Sequence, residues 1–251
     1  MNQELETAGT RSTLRMRREL AHPPHRVWAA LIEPERVAEW FPTTVKAELR
    51  VGGAVEFGFG DTGTVTELDP GRLIAYTWGT DHLRWEVVPD GAGSVLLLEH
   101  SFDDRAGGAS FASGWHTCIA ALGLALSGRA GEDPGVDHVA LHEQYVTELG
   151  LDTADTERTS DGWRVRYERQ LTRPADAVWP DLLAAWPGAD VLVSEAPKVL
   201  EQRVASGRLR MELGEGTGHG ARLTMTWTGG DSAARDAIAA ELPERARVVA
   251  R

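Results

Sequence analysis

Histidines and carboxylates at short spacing are where chemistry would start. His138, His142 and Glu143 put two imidazoles four residues apart, on one face of a helix, a spacing able to hold a transition metal. The order His-x-x-x-His-Glu lacks the internal glutamate of a His-Glu-x-x-His protease helix, and no third ligand stands nearby, so this face reads as solvated. Glu86 follows Trp85, and Glu99 precedes His100. A buried carboxylate beside an imidazole is a general acid–base pair, with His116 as a further base. Glu86 alternates away from Trp85, however, and Glu212 repeats it in a second Leu-Arg-x-Glu run, which favours a surface role. There is no Gly-x-Ser-x-Gly elbow, no Gly-x-x-x-x-Gly-Lys loop and no Gly-x-Gly-x-x-Gly after a strand. The run Gly214-Glu-Gly216-Thr-Gly218 belongs to a hairpin turn. No catalytic residue, metal or cofactor is expected on these grounds, and His22 and His25, beside Pro23 and Pro24, read as surface residues.

What remains is apolar. The chain has nine tryptophans against three tyrosines and five phenylalanines. Leu83, Trp85 and Val87 share a strand face, as do Ile74, Tyr76 and Trp78, because side chains alternate with period two. Tyr76, Trp78, Trp85, Leu97, His100, Phe111, Trp115 and Ile119 are expected to line a cavity for a hydrophobic or aromatic small molecule. Such a site pairs an apolar lining with a few orienting polar groups, here Tyr76 and His100, with His116 or Cys118 as further candidates. The competing reading is a cavity filled by the tryptophans themselves, since such rings bury large areas with or without a ligand. Trp28, Trp40 and Trp179 read as structural, and Trp40 with Phe41 as a lid over one end.

The elements that must position these groups follow from periodicity. Leu14 to Leu20 alternates as a strand; Pro23 and Pro24 open a short helix carrying Val27, Trp28, Leu31 and Ile32, and Glu35 to Phe41 forms a second. Six short apolar runs follow, Val45 to Val51, Ala54 to Phe59, Gly63 to Asp69, Leu73 to Trp78, Leu83 to Val88 and Val95 to Phe102. Glycine, proline and aspartate separate them, as in an antiparallel meander. Ala109 to Leu126 places Phe111, Trp115, Ile119, Leu122 and Leu126 on one stripe of a long helix, and a further helix runs from about Val136 to Leu149.

The pattern then recurs. Residues 14–31 align with 165–182 at an offset of 151, matching Arg18 with Arg169 and Trp28 with Trp179. Leu83-Arg84-Trp85-Glu86 aligns with Leu209-Arg210-Met211-Glu212, and Leu97 with Leu223, at an offset of 126. The 25-residue difference is expected to remove the region 33–68 from the second copy, whose last helix shortens to Ser232–Leu242. The expected organisation is a full domain over 11–151, a linker over 152–161 and a truncated copy over 162–251.

Composition bounds the partners. With 26 basic against 38 acidic side chains the net charge is −12, which repels a phosphate backbone, so nucleic-acid binding is not expected. One cysteine allows neither an internal disulfide nor a cysteine-based zinc site. No run of about 18 uninterrupted apolar residues is present, and residues 1–13 lack an apolar signal core, so membrane insertion is not expected and a cytoplasmic location is.

The order strand, helix pair, meander, long helix resembles the activator of heat-shock-protein-ninety ATPase homologue family, within the START-like (SRPBCC) superfamily. The residues carrying the resemblance are Pro23, Val27-Trp28-Ala-Ala-Leu31, Pro34-Glu35, Glu39-Trp40-Phe41, Gly52-Gly53, Gly63-Thr64-Val65, Pro70-Gly71-Arg72-Leu73, Trp78, Glu99-His100, Phe102, Gly114-Trp115 and Leu122. Over about residues 12–150 the resemblance implies an α+β helix-grip fold, an antiparallel sheet curved around the long helix with a cavity between. It further implies binding of apolar small molecules there, with cyclisation or condensation in some members; Glu99, His100 or His116 would then act as acid and base. A protein-interaction or co-chaperone-like role is the third expectation. Longer eukaryotic members carry an extra N-terminal domain without a counterpart in this sequence, so chaperone binding is not carried over.

Overall fold

The computed structural model describes residues 2–186, 190–204, 206–218 and 220–250. Two compact units emerge, one of residues 1–108 with 112–141 and one of residues 109–111 with 142–251.

The first unit opens with β1 (Asn2–Ala8), paired antiparallel to β2 (Arg11–Leu20). No alternation marks β1 in the sequence, because as an edge strand with exposed side chains it needs no apolar face. In β2 the expected face is inward: Leu14 and Met16 are buried, and so is Arg18. Pro23 caps α1 (Pro24–Ile32), and α2 (Pro34–Val37) is a single turn continued by tighter bonds through Phe41. The meander comprises β3 (Val45–Ala47), β4 (Ala54–Phe57), β5 (Thr62–Asp69), β6 (Leu73–Trp78), β7 (Asp81–Asp90) and β8 (Gly93–Phe102). The eight strands form one sheet in the order β1-β2-β8-β7-β6-β5-β4-β3. Gly63 lets β5 approach β6, since a Cβ there would sit 1.8 Å from the Thr77 carbonyl oxygen. Gly91, at φ 58°, takes the left-handed position of the two-residue turn between β7 and β8.

The long helix α3 (Gly108–Leu126) is introduced by Asp104, whose carboxylate accepts from the Gly107 N–H. Ala112, Trp115, Ile119, Leu122 and Leu126 are buried along it at three- and four-residue steps, the stripe expected of a helix lying on a sheet. By length and hydropathy the stretch Arg105–Leu126 is apolar enough to cross a membrane, a property shared with core helices of folded domains. The boundary between the units falls in α4 (His138–Glu148).

In the second unit, residues 152–161, expected as a linker, contain a strand, β9 (Asp155–Thr159), paired with β10 (Gly162–Gln170). Then come α5 (Ala175–Ala185), β11 (Asp190–Glu195), β12 (Val199–Val204), β13 (Gly207–Glu215), β14 (Ala221–Gly229) and α6 (Ser232–Val249). The sheet order β11-β12-β13-β14-β10-β9 is that of the first unit without β3 and β4. Nothing among the described residues corresponds to α2, β3 or β4. The missing stretch is shorter than 33–68, because β11 stands where β5 does. The closing helix is not shortened either. It runs through Pro243, whose missing N–H leaves one bond unmade, and Leu242, Ala246 and Val249 are buried on either side of that gap.

Strand pairing gives the equivalences. Trp85 opposes Leu98 and His100 opposes Leu83 in the first unit; Met211 opposes Met225 and Trp227 opposes Leu209 in the second. The offset is therefore 126 in β13 but 127 in β14, because the second hairpin has the longer turn. Leu223 corresponds to Leu96, and the match of Leu223 with Leu97 is corrected by one residue.

Candidate functional site

The inner face of the first sheet carries Ile74, Leu83, Trp85, Val87, Leu96, Leu98, His100 and Phe102, all buried. Over them lies a connected set of rings. Trp85 meets Trp115 edge-on at 5.2 Å and Trp40 at 6.0 Å between centroids. Phe41 stacks on Trp115 at 5.9 Å and touches Trp78 edge-on at 5.9 Å. Trp78 in turn stacks on Phe57 at 4.7 Å and on the exposed Phe59 at 6.3 Å. Offset and edge contacts at these distances are the arrangements ring quadrupoles favour.

Each indole N–H has an acceptor, as buried polar groups require. Trp40 donates to the Ala30 carbonyl at 2.9 Å, which ties the α2 segment to α1. Trp78 donates to Asp61 at 2.9 Å and Trp85 to the Tyr76 hydroxyl at 3.2 Å. Burial pushes the Tyr76 phenol up to about 12, so it remains a neutral hydroxyl at physiological pH. Trp115 donates to His100 Nδ1 at 3.0 Å, and His100 Nε2 lies 2.9 Å from Asp81. An indole nitrogen only donates; Nδ1 therefore accepts, and the neutral ring carries its proton on Nε2, toward Asp81.

Six of the eight expected lining residues, Tyr76, Trp78, Trp85, His100, Trp115 and Ile119, come together in the first unit, Tyr76 and Trp78 half-buried and the others buried. Leu97 does not join them. Neighbours on a strand face opposite ways, so with Leu96, Leu98 and His100 inward, Leu97 turns to the outer face, beside a groove of about 310 Å³ bordered by Arg15, Arg17 and Glu99. Phe111 is half-buried and groups with the second unit. Phe57, Asp61 and Asp81 escaped sequence reasoning. Phe57 alternates with Val55 and is legible that way, whereas Asp61, just before β5, and Asp81, the first residue of β7, are assigned partners only by strand register.

The acid–base candidates fare differently. Glu99 lies on the outer face within 3.5 Å of Arg15. Glu86 is also outside, bridged to Arg84 at 2.9 Å and to Arg72, and Glu212 pairs with Arg210 at 3.0 Å, in line with their surface assignment. Neither glutamate faces His100 across a cavity. The Cys118 thiol is pushed up to about 11 by burial, so it is no thiolate nucleophile at neutral pH.

The space between Trp40, Phe41, Tyr76 and Trp85 beneath α1 and α2 measures about 10 Å³. That admits about one water, against the roughly 300–1,000 Å³ of ordinary ligand sites. Trp40 and Phe41 cover it, as the expected lid should.

The helix face bearing His142 and Glu143 is not solvated, contrary to expectation. His142 is 2% exposed, and Glu143 bonds the guanidinium of Arg169, itself 1% exposed in its side chain. Arg169 also donates to Asp152 at 2.9 Å and to the Tyr167 hydroxyl at 3.3 Å, while Asp152 holds Arg247. Burial pushes the Glu143 carboxyl up, but His142 and Arg169 outweigh it and hold it below the usual carboxylate range. Burial raises Tyr167 to about 12. Among the described residues no cluster of three metal-ligating side chains occurs.

The first unit is thus an α+β helix-grip domain, an antiparallel sheet with a long helix across its inner face. Residues 21–127 match the family described as activator of Hsp90 ATPase homolog 1-like protein. The fold recurs in the conserved protein of unknown function EF2215 from Enterococcus faecalis, with a TM-score of 0.53 and 17% identity over 59% of this chain and 90% of that one. It recurs likewise in CalU16 from Micromonospora echinospora, with a TM-score of 0.50 and 19% identity over 59% and 90% of the two chains. No curated protein sequence matches the chain.

Proposed function

We propose that the first unit binds a planar, apolar small molecule between its sheet and α3, and that the segment carrying Trp40 and Phe41 swings aside to admit it. The observation that carries this reading is the ring cluster itself. Its Trp85–Tyr76 and Trp115–His100 pairs are polar contacts beside the cover that Trp40 and Phe41 form, and three of these four residues are replaced in the second unit, where Met211, Gln202 and Trp227 stand at the positions of Trp85, Tyr76 and His100. A flat ligand would exchange ring contacts with Trp40 and Phe41 for contacts with its own π face. The second unit, on this reading, is a degenerate copy of the same plan that closes its core without a ligand. We place the protein in the cytoplasm on the same footing, in keeping with its half-buried free thiol.

The test uses N-phenyl-1-naphthylamine as probe, following tryptophan fluorescence and the melting temperature of the full chain. A ligand of the folded state raises the melting point by mass action, and a hundredfold excess over Kd stabilises by about 2.7 kcal/mol. Binding should survive in Leu97→Ser, on the outer face, and fall at least tenfold in Trp115→Ala. Unchanged fluorescence and melting across a panel of planar apolar probes would sink the reading.

A further inference from the structure

In the first unit β5 is an interior strand: β4 pairs with it through Ala54 with Thr64, Val55 with Gly63 and Glu56 with Thr62, and β3 lies beyond. The corresponding strand of the second unit, β11, ends its sheet. It pairs with β12 on one side, with an irregularity between Val191 and Val193, and among the described residues no strand lies on the other. Its sequence, Asp190-Val191-Leu192-Val193-Ser194-Glu195, is strand-forming and apolar in the middle, and that middle is open to water: Val191 is 51% and Leu192 36% exposed. Of the devices that keep edge strands from pairing, β11 has an irregularity and acids at its ends but neither lysine nor proline within the strand.

We propose that the free edge of β11 docks an extended segment of a partner protein, added antiparallel in the place that β4 occupies in the first unit. The segment is β-branched in its middle and basic at its ends. Charge decides this occupant over a second copy of the chain. Asp190 and Glu195 terminate β11, no basic residue lies between them, Asp190 is bridged to Arg203 of β12 at 3.2 Å but stays exposed to a second cation, and the whole chain carries −12. Two β11 strands meeting antiparallel would set Asp190 of one beside Glu195 of the other, a like-charge cross-strand pair at both ends. A strand ending in lysine or arginine meets opposite charge at both ends, and its backbone satisfies the unpaired edge. This inference rests on strand order and charge, independently of the ligand reading.

The test uses a fluorescein-labelled synthetic peptide, Lys-Arg-Val-Thr-Val-Thr-Val-Lys-Arg, and a control with glutamate at all four basic positions, against the full-length protein. Saturable anisotropy with the basic peptide, little with the control, and slowed amide exchange within 190–195 are expected. Val193→Pro should abolish binding. Because that change can also harm folding, the charge-reversed variant Asp190→Lys/Glu195→Lys keeps the test decisive: its affinity for the basic peptide should fall about tenfold and that for the acidic control rise. Equal binding of both peptides, no protection in β11, indifference to charge reversal, or protection of β11 by self-association in ultracentrifugation would each overturn the proposal.

Discussion

The two units follow one strand order and part company between their first helix and the strand β5 or β11. In the first, α2, β3 and β4 supply Trp40, Phe41 and Phe57, and the sheet beneath answers with rings: Trp85, Trp78, and His100 bound to Trp115. In the second that segment is missing, and the equivalent inner face is closed by Leu200, Leu209, Met211, Leu213, Leu223, Met225 and Trp227 under α6. Its buried guanidinium, Arg169, is held instead by Glu143, Asp152 and the Tyr167 hydroxyl. Arg18 holds the same strand position in the first unit, also buried, yet one of its nitrogens donates to the carbonyl of Arg17. The difference teaches that a cover goes with an interior of stacked rings whose polar edges find partners, whereas the sheet without one closes largely on leucine and methionine, with Trp227 among them.

The largest effect should come from the ion network. Arg169→Met leaves Glu143 with His142 alone, 3.6 Å away, and Asp152 with Arg247 and the Tyr167 hydroxyl, and should cost the second unit about 3–5 kcal/mol in urea unfolding; Arg18→Met should cost clearly less. Equal losses would break the contrast. Next, Trp85→Met installs the residue the second unit uses. It removes the contacts to Trp40 and Trp115 and should cost about 2–3 kcal/mol while keeping the fold, as read by circular dichroism and thermal melting. A neutral result would mean that the ring cluster contributes little packing. Trp115→Phe retains the stack on Phe41 but strands His100 Nδ1; thermal melts should show a loss of about 1–2 kcal/mol.

The smallest effect concerns pH. Glu143 is held below its usual range in the folded state, so its contribution is complete above the unfolded value of about 4.3 and disappears as pH falls through the lower folded value. Acid should therefore loosen the second unit, and Glu143→Gln should flatten that limb of the melting curve. Tyr76 and Tyr167 are both raised to about 12, so the stability each confers is complete below about 10 and is lost as pH rises from there toward 12, in both units alike. A symmetrical acid response in the two units would erase the distinction.

Much of the fold could be read directly, because apolar alternation, prolines and glycine turns mark strands and helix ends locally. The meander and the stripe on α3 were legible in this way, down to Trp115 and Ile119. β1 and β9 were not, since edge strands without a buried face leave no alternation to read. Side-chain direction failed where it depended on register. Leu97 lies within a run of four apolar residues, Val95 to Leu98, in which nothing local says which ones face inward. The helix pair His142–Glu143 looked solvated because its partner, Arg169, lies 26 residues away from Glu143 along the chain.

By itself the sequence determined most element types, the order of strand, helix pair, meander and long helix in the first unit, and which of its strand and helix positions carry rings. These follow from period, composition and spacing, which are local or additive quantities. Tertiary structure alone decided that Trp40, Phe41, Tyr76 and Trp85 leave only about 10 Å³ between them, that His100 is engaged by Trp115 and Asp81, and that β11 ends its sheet among the described residues. Those depend on which strands become neighbours and how bulky groups share one volume, and long-range packing settles both.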